Sequence, residues 1–256
     1  ARGDRGSRVP SPAARVAPLC AEVGAAIARF TWRGIDILRR APDSAINERL
    51  IRQMGSYPLV PYSNRIGHAQ LIVGEQKYTL RQNFPPGLHA IHGFGWQRAW
   101  QVATQTVDSV SLRLQHMPDA DWPFACEARQ VVRLTANALQ LELSVKNNDP
   151  RAMPVGLGFH PFFPLTPETH LQSDWKGMRK MSADSLPTEL GPVPPEADFS
   201  QLRPVAGWKV DHCFTGWSRR AVLEHTTHRR HLDARDRCRR IGVLAPHAQR
   251  HYTPQR

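Results

Sequence analysis

Alternation of apolar and polar residues over short segments is the feature that most constrains the fold of this chain. In residues 138–148, ALQLELSVKNN, apolar side chains recur at every second position, as Leu139, Leu141, Leu143 and Val145. A period of two places these side chains on one face of an extended strand. Residues 110–114 alternate in the same way, with Val110, Leu112 and Leu114 on one face. The pattern predicts half-buried β-strands.

Turn signals separate these strands. Thr135-Ala136-Asn137, Gly74-Glu75 and Arg33-Gly34 each lie between two short apolar runs, as the turn of a hairpin does. Many short strands joined by turns predict an all-β fold, here a large antiparallel β-sandwich. The best helical candidate is residues 44–55, about three turns long. The proline-rich residues 187–204 predict a long loop.

The 256 residues are enough for one large domain. We expect residues 1–18 to be a disordered N-terminal segment, residues 19–245 to form the sandwich, and residues 246–256 to be an atypical tail rich in Arg and His. No apolar run approaches the roughly 20 residues that cross a bilayer, so no membrane association is expected. The four cysteines form no CxxC pair, which favours a reducing, cytoplasmic location.

The net charge of +12 raises the question of nucleic-acid binding. The excess lies at the ends: residues 1–50 carry +4 and residues 219–256 carry +7, whereas residues 51–218 carry only +1. No platform of aromatic and basic residues accompanies the charge. We therefore expect a small molecule as the partner and no nucleic acid; the sequence leaves the oligomeric state open.

Four polar clusters interrupt the strand pattern. Asn64 and Arg65 follow a Pro-Ser turn in PYSNRIGHA, and an arginine there can direct two donors at ligand oxygens. His89 and His92 lie among glycines and aromatic residues in GLHAIHGFGWQRAW. Glycine allows close backbone approach to a ligand, and aromatic faces suit the apolar side of a sugar ring.

His160, in GLGFHPFF, precedes a proline that favours extended backbone, and the aromatic residues beside it suggest a pocket wall. A histidine in such a setting is more often a core residue with satisfied nitrogens, and that alternative stays open. Asp211, in KVDHCFTGW, is either an acceptor for hydroxyl groups or a turn residue.

A metal site is the weaker interpretation of these histidines. His89 and His92 lack the helix that would aim both at one ion, and His225, His228 and His231 have no carboxylate or cysteine to complete a compact site. We expect no metal and no organic cofactor.

The four clusters, in this order and on an all-β background, resemble the aldose 1-epimerase (galactose mutarotase) family. The matching segments are NRIG at 64–67, HAIHGFGW at 89–96, GLGFHPFF at 156–163 and VDHCF at 210–214. The resemblance implies a β-sandwich with an open sugar cleft that interconverts the α and β anomers of aldohexoses without a cofactor. It implies that His160 protonates the ring oxygen, that His92 assists at the ring, and that Asn64, Arg65 and Asp211 bind the sugar. An acid that works in both directions should titrate near neutral pH, as unperturbed histidine does at about 6.5.

The chain departs from the family at the catalytic base, which is a glutamate near the C-terminus of family members. By length this residue would fall near Gln255, which is no carboxylate, and Glu224 lies too early and within a predicted strand. General-base assistance is typically worth about 10²–10⁴-fold in rate. The sequence therefore predicts a sugar cleft with weak epimerase activity, or a carbohydrate-binding protein that uses the same cleft without catalysis.

Overall fold

A computed structural model describes residues 14–16, 19–208, 211–225 and 228–233. In these residues β-strands predominate, joined by one short α-helix, α1 (Asp43–Asn47), and four 3₁₀ turns. The 3₁₀ turns are Ile51–Gln53, Gly67–Ala69, Gly95–Gln97 and Pro195–Ala197. None of the described helices is long and apolar enough to cross a membrane.

The strands in chain order are β1 (Ala14–Val16), β2 (Leu19–Cys20), β3 (Ala26–Ile27), β4 (Phe30–Trp32), β5 (Ile35–Asp36), β6 (Ser56–Leu59), β7 (Arg65–Ile66), β8 (Gln70–Val73), β9 (Gln76–Thr79), β10 (Ala90–Ile91), β11 (Gln101–Gln105), β12 (Ser109–His116), β13 (Cys126–Leu134), β14 (Leu139–Asn147), β15 (Gly158–Pro161), β16 (His170–Ser173), β17 (Gly177–Met181), β18 (Pro187–Gly191), β19 (Arg203–Pro204), β20 (Cys213–Thr215), β21 (Arg220–His225) and β22 (His228–Asp233).

The strands form an antiparallel sandwich. The longest sheet has the order β11-β12-β13-β14, and two further four-stranded sheets have the orders β15-β6-β3-β2 and β19-β16-β21-β22. All strand pairings in the described residues are antiparallel, and two isolated parallel bridges, Val60–Gly93 and Tyr62–Gly156, join neighbouring loops. The all-β prediction is confirmed.

The predicted alternation positions the core. In β14 half-buried and exposed residues alternate, and Leu139 and Leu141 pack with Val132 of β13 against Ile27 and Phe30 of the facing strands. A second cluster fills the other end of the same sheet, around Leu112, Trp122 and Phe124. Burial of these apolar side chains is the main force that holds the sheets together.

Two predicted elements differ from the structure. The helix predicted over residues 44–55 is only Asp43–Asn47, followed by a separate 3₁₀ turn, because Arg49 takes a left-handed backbone conformation with φ of 57°. The predicted loop 187–204 begins with β18, whose pairing to β17 is not visible in local composition. Pro187 is tolerated there because it is the first residue of the strand.

The predicted boundaries are only partly covered by the structure. Within the segment 1–18 that we expected to be disordered, β1 pairs with β4 from Ala14↔Trp32 to Val16↔Phe30. The prediction does not hold for these three residues, and residues 1–13 and 17–18 lie outside the described residues. The predicted tail 246–256 also lies outside them.

Candidate functional site

His160 lies in a cluster of packed aromatic rings. It sits on β15 directly opposite Tyr57 of β6, and the two rings stack with centroids 5.0 Å apart. Phe162 also stacks against the imidazole, with ring centroids 4.6 Å apart, and lies 5.9 Å from Tyr57, so the three rings form a triangle. The Tyr57 ring also stacks on Trp96, with centroids 5.7 Å apart. Packing against Tyr57 and Phe162 restricts the orientation of the imidazole.

A guanidinium group packs on this ring cluster. The Arg39 side chain lies over the Phe162 ring, 3.9 Å from the ring centroid. Its Nη2 donates hydrogen bonds to the carbonyl oxygens of Arg52, at 2.6 Å, and Met54, at 2.8 Å. The positive charge is therefore held over Phe162, the ring that itself stacks against His160.

The surroundings keep His160 neutral. Only 7% of the residue is exposed. Burial lowers the pKa of His160 to about 4; a hydrogen bond with its own backbone opposes the shift, and the charge of Arg39 adds to it. In the part of the chain that the structure describes, no carboxylate raises this pKa. The expectation of titration near neutral pH was therefore wrong for the site as described, because it ignored desolvation.

His92 meets His160 edge to face, with ring centroids 5.4 Å apart at an interplanar angle of 80°. It follows β10 directly and has a left-handed φ of 61°. The ring Nδ1 of His92 accepts a hydrogen bond from the backbone N–H of Asn64 at 3.1 Å. The backbone N–H of His92 donates to the Asn64 carbonyl at 2.9 Å. The two histidines proposed for catalysis thus lie in contact.

Gly93, directly after His92, lets the backbone pack closely against Val60. Its φ is 67°, and a side chain there would overlap the Val60 carbonyl oxygen, since the backbone of the two segments is in direct contact. The Trp96 indole Nε1 donates to the Gly93 carbonyl at 3.0 Å. The glycine-rich sequence after His92 is therefore needed for close backbone packing.

Arg65 lies on β7, Cys213 lies on β20, and Asp211 lies just before β20. Arg65 pairs with Ile91 across β7 and β10, next to His92. Asn64 Nδ2 donates to the Cys213 sulfur at 3.2 Å. Burial raises the pKa of the Cys213 thiol to about 11; the charges of Arg65 and Asp211 also act on it, in opposite directions. All four sequence clusters therefore contribute residues to one region.

His89 does not join this group. Its Nδ1 accepts the backbone N–H of His68 at 2.9 Å, and its Nε2 lies 2.9 Å from the Asp184 carbonyl oxygen and 3.4 Å from the Asp184 carboxylate. His68, His89 and Asp184 place potential ligand atoms within 4.8 Å of one another. However, a neutral imidazole whose Nδ1 accepts a hydrogen bond carries its proton on Nε2, so that nitrogen donates to Asp184 and has no lone pair for a metal. The arrangement ties the β17–β18 turn to the loop after β7.

The other histidine group lies on the β21–β22 hairpin. His225 is buried at the end of β21, with Nδ1 3.3 Å from Thr169 Oγ1, whereas His231 is exposed on β22. The side chain of His228 lies outside the described residues.

Tyr57, Phe162 and Arg39 complete the surroundings of His160, and the sequence analysis did not single out Tyr57 or Arg39. Tyr57 occurs in a short apolar strand like any core tyrosine, and Arg39 is one of many arginines. Both gain their position through pairing that is distant in sequence. The position expected for the base, Gln255, lies outside the described residues.

The fold is similar to that of known proteins. The crystal structure of an Escherichia coli K12 protein proposed to be an aldose 1-epimerase superposes with a TM-score of 0.74, at 29% identity over 80% of this chain and 69% of that one. Fold and site together define a β-sandwich protein of the type that aldose epimerases form.

The aldose 1-epimerase family model matches residues 14–247, and the chain belongs to this family. YphB of Escherichia coli K12 is 32% identical over 66% of the chain and 57% of its own length. YihR of the same organism is 29% identical over 75% of the chain and 63% of its own length. The chain thus spans less than two thirds of these two relatives.

Proposed function

We propose that the chain binds an aldohexose between His92, His160 and Arg65 and interconverts its α and β anomers. The observation that carries the proposal is the contact of His92 with His160. The Trp96 ring lies beside His92, Arg65 pairs with the residue before His92, and the charges of Arg65 and Asp211 both act on Cys213. Two polar rings beside aromatic faces suit a pyranose, which has hydroxyl groups on its edge and an apolar C–H face.

The reaction moves two protons, one away from the C1 hydroxyl and one onto the ring oxygen. A base removes the proton from the C1 hydroxyl while an acid protonates the ring oxygen, and the C1–O5 bond breaks to give the open aldehyde. Rotation about C1–C2 and closure in the reverse sense give the other anomer. His160 is the candidate for the acid, since its ring packs against both Tyr57 and Phe162 and contacts His92.

The low pKa of His160, about 4, sets a condition on this role. At neutral pH the imidazole is uncharged, so protonation becomes easier only when a negative charge approaches. A carboxylate base on the far side of the sugar would provide that charge and would also take the C1 proton. The charge of Arg39 disfavours protonation of His160. We therefore expect a slow enzyme.

The experiment is mutarotation of α-D-glucose and α-D-galactose, followed by polarimetry with wild type, His160→Ala and buffer alone. The proposal predicts acceleration by the wild type that is lost in His160→Ala while the circular dichroism spectrum is retained. Unfolding of His160→Ala would instead support a core histidine, and acceleration equal to wild type would remove His160 from the reaction.

The low pKa of His160 also supports a second function, carbohydrate binding without catalysis. Without a carboxylate near His160 the cleft would bind sugar and not turn it over, as a carbohydrate-binding protein does. Sugar binding detected by NMR with no acceleration of mutarotation would favour this second function.

A further inference from the structure

Asn64 is bonded to His92 through its backbone. Its φ of 63° is left-handed, a conformation that asparagine tolerates better than most residues. In this conformation its N–H donates to His92 Nδ1 at 3.1 Å and its carbonyl accepts the His92 N–H at 2.9 Å. Asn64 is therefore hydrogen-bonded to both the ring and the backbone of His92.

The bond to Nδ1 determines where the His92 proton lies. A nitrogen that accepts a hydrogen bond carries no proton, so a neutral imidazole in this position has its proton on Nε2. Such a ring donates a hydrogen bond from Nε2 and cannot take a proton there. His92 is then a hydrogen-bond donor in the cleft and not the missing base.

The Asn64 side chain is also used within the protein. Its Oδ1 accepts the Arg65 N–H at 2.8 Å, and its Nδ2 donates to Cys213 Sγ at 3.2 Å. Cys213 is 2% exposed on β20, two residues after Asp211. The amide thus connects the segment that carries Arg65 to the segment that carries Asp211.

We propose that Asn64 is a positioning residue: its backbone fixes His92 as the Nε2–H tautomer, and its amide ties the Arg65 strand to the Cys213 strand. The resemblance assigned Asn64 to sugar binding, and the geometry adds this internal role. The effect on catalysis rests on the proposed function, whereas the tautomer of His92 does not.

The tautomer is tested by long-range ¹H–¹⁵N correlation spectra of the histidine rings at neutral pH. Wild type and Asn64→Gly should both show His92 with its proton on Nε2, because glycine readily adopts the left-handed conformation. Asn64→Val should shift part of the population to the Nδ1–H form, because a β-branched residue strongly disfavours positive φ. His89, whose Nδ1 accepts the His68 N–H at 2.9 Å, is the internal control and should remain Nε2–H throughout.

A proton on Nδ1 of His92 in the wild type would overturn the proposal. A His92 pattern in Asn64→Val identical to that of the wild type would overturn it as well, since Asn64 would then not set the tautomer.

The amide link is tested at Cys213, which leaves Asn64 intact. Cys213→Val removes the acceptor and Cys213→Ser keeps one. We expect Cys213→Val to lower kcat about tenfold to a hundredfold with a smaller change in KM, as misplacement of a site group does, and Cys213→Ser to retain most of the wild-type kcat.

Equal kcat values for Cys213→Val and the wild type would contradict the amide link. If the wild type accelerates no mutarotation, the proposed function fails, and the ring spectra alone decide the role of Asn64.

Discussion

Substitution of His160 by phenylalanine should remove a specific part of the acid sensitivity of the fold. In the native protein the pKa of His160 is about 4, whereas in the unfolded chain it is near 6.5. The unfolded state therefore binds a proton first as the pH falls. Stability is fully retained above pH 6.5, is lost between pH 6.5 and 4, and changes no further below pH 4 from this group. The difference corresponds to about 3 kcal/mol.

Urea denaturation of wild type and His160→Phe at several pH values between 7 and 4 measures this contribution. Phenylalanine keeps a ring packed against Tyr57 and Phe162 but has no proton to bind. Because the carboxylates titrate in both proteins, the wild type should lose about 3 kcal/mol more than the variant over this interval. Tyr57→Phe retains the imidazole and should follow the wild-type slope. Parallel curves for wild type and His160→Phe would refute the claim that His160 is buried in the neutral form.

Three further substitutions test the packing and charge around the site. Arg39→Gln should raise the pKa of His160, because the substitution removes a positive charge that lowers this pKa. The shift is measured from the imidazole signals in an NMR titration. An unchanged pKa would show that Arg39 does not act on His160. Gly93→Ala should destabilise the protein by more than about 1 kcal/mol, because the added Cβ would overlap the Val60 carbonyl and the backbone φ at this position is 67°. A thermal melt equal to that of the wild type would contradict the close contact. Leu112→Ala should cost about 2–5 kcal/mol in urea denaturation, because the side chain is fully buried; a loss below 1 kcal/mol would place it outside the core.

The fold was largely predictable because its signal is local. Alternation in β12 and β14 and the turns at Arg33-Gly34 and Gly74 appear directly in the sequence and in the structure. The helix after Pro42 was predicted too long, because apolar spacing continues past Asn47 while the backbone reverses at Arg49. The pairing of β17 with β18 depends on contacts between segments, which periodicity does not encode.

The residues of the site could be predicted from the sequence, whereas the protonation state of His160 could not. His92, His160, Arg65 and Asp211 stand out because polar residues interrupt an apolar pattern. The neutral state of His160 could not be predicted, because it depends on Tyr57 across the strand pair and on the distant Arg39. The internal use of the Asn64 amide depends likewise on Cys213, far along the chain.

The central claim is that His92 and His160 line one sugar-binding cleft. The most direct measurement is an NMR titration of the protein with D-galactose, observed at the ring Cε1–H signals of the assigned histidines. The account predicts that the His92 and His160 signals shift together along one binding curve, while the signal of His89, which faces Asp184, stays in place. Galactose that leaves the His92 and His160 signals unmoved, or that shifts His89 equally, would contradict it.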